Sequence, residues 1–329
     1  MTYDRTEQLI RDVFADEAAG AVDPRQVLAG VRGKKPRKSY GLMLTTAAVV
    51  VVVAAVATFV VPEVFKRSSA TPPVGSERQQ EQTAAITPTN VLVIGTDTAG
   101  YTDSIVLTQV AADGSVNLVS LPRDSWVSSA GKNVRLNQIY QTAGADALLA
   151  AVSDLTGVTV DHYLAVDTAA FRDLANAVGG VEVCLLSATK DDLAGANFPA
   201  GKQTISGDAA LAFVRQRHNL PNGDLDRIVR LQAFLRSLAT KLKGTDLDKL
   251  VGAVQGKVTT DPNLDLLGLA QALANAKALH VGTIPIGNID FQPAGGGGSV
   301  IEVDPAQVKQ FVTDLPSTPP ATGDVPCVN

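Results

Sequence analysis

Two aspartates stand at the ends of consecutive predicted strands and are candidate metal ligands. Asp97 directly follows the apolar run at residues 91–94, and Asp103 stands at the start of the next predicted strand. Carboxylates at adjacent strand ends can bind a hard cation such as Mg²⁺ or Mn²⁺, which prefers oxygen ligands. Because Asp is also common in turns, an ordinary turn role is the alternative for both residues.

An arginine and an aspartate follow the third predicted strand. Arg123 and Asp124 come directly after Pro122, which fixes the local backbone and ends that strand. An arginine held at a strand end is well placed to bind an anion. The alternative is a surface ion pair between Arg123 and Asp124, which would contribute little to stability.

A second pair of basic residues, Arg215 and Arg217, lies two positions apart. On an α-helix two such side chains would point about 200° apart. They can face one site only if the backbone between them is extended, which requires the helix to end by Phe213. Pro221 and Gly223 shortly afterwards favour this interpretation over a solvated helix face.

A long helix is predicted from about Asp224 to Lys243. It is indicated by an apolar stripe at helical spacing, formed by Ile228, Leu231, Leu235, Leu238 and Leu242. Arg227 lies in its first turn and Arg230 lies one turn further. Cations there oppose the helix dipole unless an anion binds, since helix N-termini favour phosphate. The alternative is that Asp224 caps the helix and pairs with Arg227.

A pyrophosphate is the simplest ligand for four converging arginines, because guanidinium forks match phosphate oxygens. The four are Arg123, Arg215, Arg217 and Arg227. The common nucleophile, zinc-protease and P-loop motifs are absent, and His162, His218 and His280 have no metal-binding spacing. The net charge of −5 gives no sign of a nucleic-acid binder, so no nucleic-acid partner is expected.

An uncharged stretch at residues 41–61 is mostly Val, Ala and Leu, and is long enough to span the ~30 Å hydrocarbon core of a membrane as a helix. The basic residues Arg32, Lys34, Lys35, Arg37 and Lys38 precede it, which places the N-terminus in the cytoplasm. A cleaved signal peptide fits badly because a long polar segment comes first. A buried core helix would show a polar face.

The chain is therefore expected to contain a cytoplasmic segment at residues 1–40, a transmembrane helix at 41–61, an extracytoplasmic linker at 62–88, a folded domain at 89–316 and an irregular C-terminal tail at 317–329. Strands are predicted at residues 91–94, 104–110, 116–121, 163–166, 181–186 and 281–286. Helices are predicted at residues 145–155, 168–178, 206–210, 224–243 and 264–278, with a last one starting at Asp304-Pro305. This alternation indicates an α/β fold in a single domain, with helices flanking one sheet.

Seven short stretches occur in the order seen in a known family. They are residues 90–97 (NVLVIGTD), 102–105 (TDSI), 120–124 (SLPRD), 135–140 (RLNQIY), 178–183 (VGGVEV), 205–217 (ISGDAALAFVRQR) and 223–230 (GDLDRIVR). With these stretches the chain resembles the LytR-CpsA-Psr family of bacterial cell-wall ligases. The Ala- and Val-rich composition is typical of a high-GC bacterium such as an actinobacterium.

The resemblance implies a central mixed β-sheet flanked by helices and a cell-wall phosphotransferase. Such proteins move a glycopolymer phosphate from a polyprenyl-pyrophosphate carrier to a peptidoglycan hydroxyl. The resemblance implies Mg²⁺ on Asp97 and Asp103, and pyrophosphate on Arg123, Arg215, Arg217 and Arg227. It also implies an apolar tunnel for the lipid between sheet and helices. Asp103 and Asp124 are the candidates for the general base.

Two positions differ from the family pattern. Tyr101 stands where an arginine is usual, and Leu231 stands where a glutamine is usual, with Gln232 next to it. Each change removes one polar contact to the head group. A non-catalytic protein that binds polyprenyl-pyrophosphate lipids is therefore the alternative function, whereas the short cytoplasmic segment argues against a transcriptional regulator.

Two cysteines, Cys184 and Cys327, lie in the part of the chain expected outside the cytoplasm. In that oxidising environment a disulfide between them is favoured. The alternative is one buried thiol and one exposed thiol.

Overall fold

The computed structural model describes residues 87–97, 99–294, 296, 298–321 and 325–329. The predicted cytoplasmic segment, the transmembrane helix and all but the last two residues of the predicted linker lie outside these residues. Within the described ranges, no helix is long and apolar enough to cross a membrane.

The described residues contain thirteen strands and seven α-helices. The strands are β1 (Thr89–Thr96), β2 (Thr102–Val110), β3 (Ser115–Leu121), β4 (Trp126–Ser129), β5 (Lys132–Arg135), β6 (His162–Val166), β7 (Val181–Leu185), β8 (Thr189–Asp191), β9 (Ala196–Phe198), β10 (Gly201–Ile205), β11 (Val258–Thr260), β12 (Ala278–Thr283) and β13 (Cys327–Val328). The helices are α1 (Leu136–Thr156), α2 (Thr168–Ala177), α3 (Gly207–Arg215), α4 (Asp224–Leu242), α5 (Leu247–Val254), α6 (Leu266–Ala274) and α7 (Pro305–Asp314).

The central sheet is mixed and has six strands in the order β11-β6-β1-β2-β3-β12. The neighbours β1, β2 and β3 are antiparallel, whereas β6 runs parallel to β1 and β12 runs parallel to β3. A second sheet has the order β10-β7-β13, and β4-β5 and β8-β9 form two-stranded sheets. The predicted α/β architecture with a central mixed sheet is thus confirmed.

Both faces of the central sheet are buried, which explains the continuous apolar run in β1. Leu92 and Ile94 pack with residues of α1 and α7 on one face. Val91 and Val93 belong to the opposite face, where side chains of α4 and α6 cover them. Successive residues of a strand point to opposite faces, so both sets must be apolar when both faces are covered.

Several predicted elements differ from the observed ones. The helix predicted at residues 145–155 begins at Leu136 and kinks at Gly144, whose φ of 84° is non-helical. The helix predicted at 264–278 ends at Ala274, because the chain enters β12 at Ala278. The tail predicted to be irregular contains β13, which pairs in parallel with β7. Helix α5 and the strands β4, β5, β8, β9, β10 and β11 were not predicted.

Candidate functional site

The ends of β2 and β3 meet the first turn of α4 and bring three charged side chains together. An oxygen of Asp103, Oδ1, accepts a hydrogen bond of 2.6 Å from a terminal nitrogen of Arg123. The same oxygen is 3.7 Å from a terminal nitrogen of Arg227. Asp103 and Arg227 line three adjacent pockets, so the ion pairs border open space.

A further carboxylate, Asp224, links the same two arginines. It is 3.0 Å from Arg227 and 3.6 Å from Nε of Arg123. The N-cap of α4 is Gly223, and no side chain caps this terminus. The expected pairing of Asp224 with Arg227 is therefore present, whereas capping by Asp224 is not.

Arg227 is a buried cation with hydrogen-bonding capacity left over. Its side chain is 7% exposed, and its Nε is buried without a hydrogen-bond partner among the described residues. Burial lowers the pKa of Arg227 and the neighbouring Arg123 lowers it further, whereas Asp224 and Asp103 oppose this change. An anion bound here would relieve the repulsion between the two guanidinium groups.

Arg215 and Arg217 line one pocket together with Asp103 and Arg227, and we call it the anion pocket. Helix α3 ends at Arg215, and the next residue, Gln216, has extended φ and ψ of −59° and 133°. The extended backbone lets both arginines face the same pocket. The prediction that the helix had to end by Phe213 is wrong by two residues, because the change of backbone direction at Gln216 alone is sufficient.

A buried carboxylate, Asp191, holds the loop that carries Arg217, and no local sequence pattern indicated this role. One of its oxygens accepts from the backbone N–H groups of Arg217 (3.2 Å) and His218 (3.1 Å), and the other accepts from those of Leu193 and Ala194. Burial raises the pKa of Asp191, but these four donors outweigh it and lower the pKa below the ordinary 3.8. Asp191 also lines the anion pocket.

We expect Asp191→Asn to lower the free energy of unfolding by about 2 kcal/mol at neutral pH, because an ionised acceptor of backbone hydrogen bonds becomes neutral. Folding lowers the pKa of Asp191, so its carboxylate stabilises the protein above about pH 4, and this is lost as the pH falls through the folded pKa. Urea unfolding at several pH values tests this. A difference between Asp191→Asn and the unchanged protein that does not shrink below pH 4 would contradict it.

Gln216 is fully buried and belongs to a polar chain that leads to the C-terminal segment. Its Oε1 accepts a 2.7 Å hydrogen bond from Arg230, which is itself fully buried beneath the ring of Phe213. Nε of Arg230 donates to the backbone oxygen of Asn329. Arg230 is thus a structural cation outside the anion pocket, and burial lowers its pKa to about 10.

The structure joins Cys184 in β7 to Cys327 in β13 by a disulfide, the pair favoured from the sequence. The two residues are direct partners in the parallel β7-β13 pairing. The bond therefore fixes the short C-terminal strand two residues before Asn329, the acceptor for Arg230.

Asp124 lies beside the arginines but is occupied by other partners. Its carboxylate is 3.5 Å from Nε of Arg123 and 3.7 Å from Arg135, and it accepts a 3.4 Å hydrogen bond from Asn137. Among the described lining residues of the three pockets, Asp103 recurs in all three and Asp124 is in none. The geometry therefore favours Asp103 over Asp124 for contact with a ligand.

The predicted metal ligands Asp97 and Asp103 each have one carboxylate oxygen engaged. Oδ1 of Asp97 accepts from the backbone N–H groups of Ala99 and Tyr101, so the turn role is present. The other oxygen of each aspartate has no described partner. Over the ranges that the structure covers, no cluster of three metal-binding side chains occurs. Asp103 lines all three pockets, whereas Asp97 is not among their described lining residues. Carboxylate oxygens are the ligand type that Mg²⁺ prefers, together with phosphate and water.

The two positions that differ from the family pattern have different surroundings. Leu231 lines two of the pockets beside Arg227. Gln232 is buried and donates to the hydroxyls of Ser120 and Thr283, so it is unavailable to replace a glutamine at 231. Tyr101 is 47% exposed in the turn before β2.

An apolar cavity of about 170 Å³ lies next to the charged pockets. It is lined by the sheet and by α2, α4, α5 and α6, with residues such as Val93, Leu118, Leu235, Leu250 and Leu273. Val166, at the end of β6, lines both this cavity and the pocket that contains Asp103, Arg215 and Arg227. An apolar chamber and a cationic pocket are thus adjacent.

Comparisons with known proteins agree with this architecture. The family model described as LytR_cpsA_psr family matches residues 60–315. The chain is 37% identical over 292 residues to the cell wall biosynthesis protein LcpA of Corynebacterium glutamicum, covering 76% of this chain and 56% of LcpA. It is 32% identical over 189 residues to the polyisoprenyl-teichoic acid–peptidoglycan teichoic acid transferase TagU of Bacillus cereus, covering 54% of this chain and 62% of TagU.

The fold also has a solved counterpart. The LytR-Csp2A-Psr enzyme from Actinomyces oris superimposes with a TM-score of 0.60 at 24% identity, covering 71% of this chain and 93% of that one. The chain spans less than two thirds of LcpA and of TagU. Because the family model covers most of the sequence, the chain belongs to the LytR-CpsA-Psr family.

Proposed function

We propose that this protein is a membrane-anchored phosphotransferase of cell-wall assembly. It transfers a glycopolymer phosphate from a polyprenyl-pyrophosphate carrier to a hydroxyl of peptidoglycan. The names of LcpA and TagU support this activity, and TagU is named for transfer from a polyisoprenyl carrier to peptidoglycan.

The observation that carries the proposal is the contact between the charged pocket and the apolar cavity at Val166. A polyprenyl pyrophosphate has a long apolar tail joined directly to a compact anion. The apolar cavity suits the tail, because buried apolar surface contributes about 25 cal/mol per Å². The arginines suit the pyrophosphate, because their planar forks bind phosphate oxygens in pairs.

The arginines hold the pyrophosphate and stabilise the charge that develops as transfer proceeds. The acceptor hydroxyl attacks the phosphorus nearer the sugar, and the bond from that phosphorus to the bridging oxygen breaks. The products are a phosphodiester to peptidoglycan and a polyprenyl monophosphate. Arg227 and Arg123, fixed by Asp103 and Asp224 before substrate binds, need little reorganisation to stabilise the leaving phosphate.

The proton of the acceptor hydroxyl requires an acceptor in the pocket. Asp103 is the best placed, because it lines all three pockets and keeps one oxygen without a described partner. Asp97 and Asp103 would hold Mg²⁺, which supplies further neutralisation of phosphate charge when bound. Whether Asp103 acts mainly as base or as ligand is tested by Asp103→Asn, which retains oxygen coordination but cannot take the proton.

Residues 41–61 would anchor the enzyme beside its lipid substrate, with the domain outside the cytoplasm. The uncharged stretch and its basic N-terminal flank support this arrangement. An anchored domain would take the polyprenyl tail of its substrate directly from the bilayer. The family relationship agrees with a site of action at the cell wall.

A release assay tests the proposed function. The full chain in detergent is incubated with Mg²⁺, a short polyprenyl-pyrophosphoryl oligosaccharide and peptidoglycan fragments, and polyprenyl monophosphate is followed by mass spectrometry. We expect release that requires the acceptor, stops on removal of Mg²⁺ with a chelator, and falls by about 10²-fold or more in Arg215→Ala, since a cationic donor to the leaving phosphate is lost.

The matched control is Arg172→Ala on α2, which removes a surface arginine paired with the 87% exposed Asp208. Its activity should equal that of the unchanged protein. Tight retention of the lipid with no release by the unchanged protein would overturn the phosphotransferase and support a lipid-binding role.

A further inference from the structure

A second cavity, of about 410 Å³, lies away from the arginine pockets, and the proposed mechanism does not use it. It is bounded by the β4-β5 hairpin, the C-terminal half of α1 and the segment that precedes α7. We call it the hairpin groove. Its volume is within the range of small-molecule sites, which is about 300–1,000 Å³.

Aromatic rings and polar side chains together line the hairpin groove. Trp126 and Phe291 supply the rings, and Asp154, Glu302, Asn133 and Ser128 supply carboxylate, amide and hydroxyl groups. In the part of the chain that the structure covers, none of these polar side chains has a hydrogen-bond or ionic partner. Aromatic faces stack on the C–H faces of sugar rings, and carboxylates and amides bind pairs of neighbouring hydroxyls.

The backbone around the groove is already fixed. Trp126 pairs with Arg135 across the hairpin, and its backbone N–H donates a hydrogen bond to the backbone oxygen of Ile301. Phe291 exchanges backbone hydrogen bonds with Val300. A preformed groove binds a ligand without the cost of ordering loops.

The charge of the hairpin groove is opposite to that of the anion pocket. Its lining contains Asp154 and Glu302, and no lysine or arginine among the residues that the structure describes. A phosphate-rich polymer would be repelled there, whereas a neutral or amine-bearing saccharide would not. Trp126 follows Arg123 by three residues, so their Cα atoms are at most ~11 Å apart. The Trp126 end of the groove is therefore close along the chain to Arg123, one of the arginines proposed to bind the pyrophosphate.

We infer that the hairpin groove binds the acceptor saccharide, and this rests on the proposed transferase function. The anion pocket takes the pyrophosphate of the donor, and the groove takes an uncharged stretch of the glycan that supplies the hydroxyl. Opposite charges of the two sites would keep donor and acceptor from exchanging places.

The full chain contains one tryptophan, so its fluorescence reports directly on the groove. We would titrate the full chain in detergent with a tetramer of N-acetylglucosamine and record tryptophan emission. A saturable change is expected, and Asp154→Asn combined with Glu302→Gln should raise the dissociation constant at least tenfold. Inorganic pyrophosphate should leave the emission unchanged. A surface control, Lys190→Gln, should bind like the unchanged protein.

The inference is overturned by no saturable change, by an equal response to a poly(glycerol phosphate) chain, or by unaltered binding in the double variant. In the release assay the double variant should raise the KM for the acceptor about tenfold and leave the KM for the donor unchanged. Saccharide binding without any transfer would overturn the proposed function and leave the groove as a saccharide site without an acceptor role. Transfer without saccharide binding would remove this inference alone.

Discussion

Arg227→Lys is expected to lower the rate of release by about 10³-fold, the effect of removing one preorganised group that stabilises transition-state charge. Lysine keeps the positive charge but replaces a planar fork by a single point charge. Among the residues that the structure describes, Arg227 and Arg123 are the two arginines in contact with both Asp103 and Asp224. The measurement is single-turnover release of polyprenyl monophosphate.

Stability has to be measured beside the rate, because Arg227 is buried. Arg227→Ala removes the 3.0 Å partner of Asp224, whereas Asp103 keeps its hydrogen bond from Arg123. Loss of one partner of a buried ion pair costs up to about 3–5 kcal/mol. Arg227→Lys should cost less. Arg236→Lys, on the same helix and outside the three pockets, is the matched control. A folded Arg227→Lys protein with a normal rate would show that this arginine does not serve the reaction.

Removal of the disulfide is expected to lower the free energy of unfolding by about 2–5 kcal/mol, because the bond closes a long loop, with a sequence separation of 143. Cys184→Ala, Cys327→Ala and the double variant should all lose the same amount, since each removes one bond. Urea unfolding with and without reductant tests this. Reductant should destabilise only the unchanged protein, and additive losses in the double variant would contradict the prediction.

The same variants should weaken the anion pocket. Once the C-terminal strand is released, the backbone oxygen of Asn329 no longer accepts a hydrogen bond from Arg230. Arg230 then no longer fixes Gln216, the residue between Arg215 and Arg217. We expect the KM for the donor lipid to rise about tenfold, the loss of roughly one hydrogen bond. Arg230→Lys should raise the same KM with the disulfide intact. An unchanged KM in both variants would limit the disulfide to stability.

Much of the fold could be predicted because local patterns and tertiary structure agree. The alternation of apolar runs with amphipathic segments correctly predicted β1, β2, β3, β6 and α4. The prediction for α6 ran four residues too far because residues 275–277 (NAK) contain no glycine or proline to mark the end of the helix before β12. Helix α5 was missed because it has only eight residues, with a single fully buried side chain, Leu250.

The candidate site could be predicted only in part. The chemistry of the arginines and their requirement for an extended residue at Gln216 follow from spacing. The supports of the site do not, because Asp191 is 26 residues from Arg217 and Asn329 is 99 residues from Arg230. Such long-range hydrogen bonds leave no local pattern. Gln232 shows the same limit, because the two hydroxyl groups that accept its hydrogen bonds lie in β3 and β12, far from it along the chain.

The parallel pairing of β12 with β3 joins parts of the chain that are far apart in synthesis. All seven residues of β3 are buried, yet one edge of this strand stays open until residues 278–283 have been made. An open apolar edge readily pairs with other chains. A fragment that ends before Ala278 is therefore expected to self-associate, so the residues from 278 onwards protect the nascent domain from aggregation.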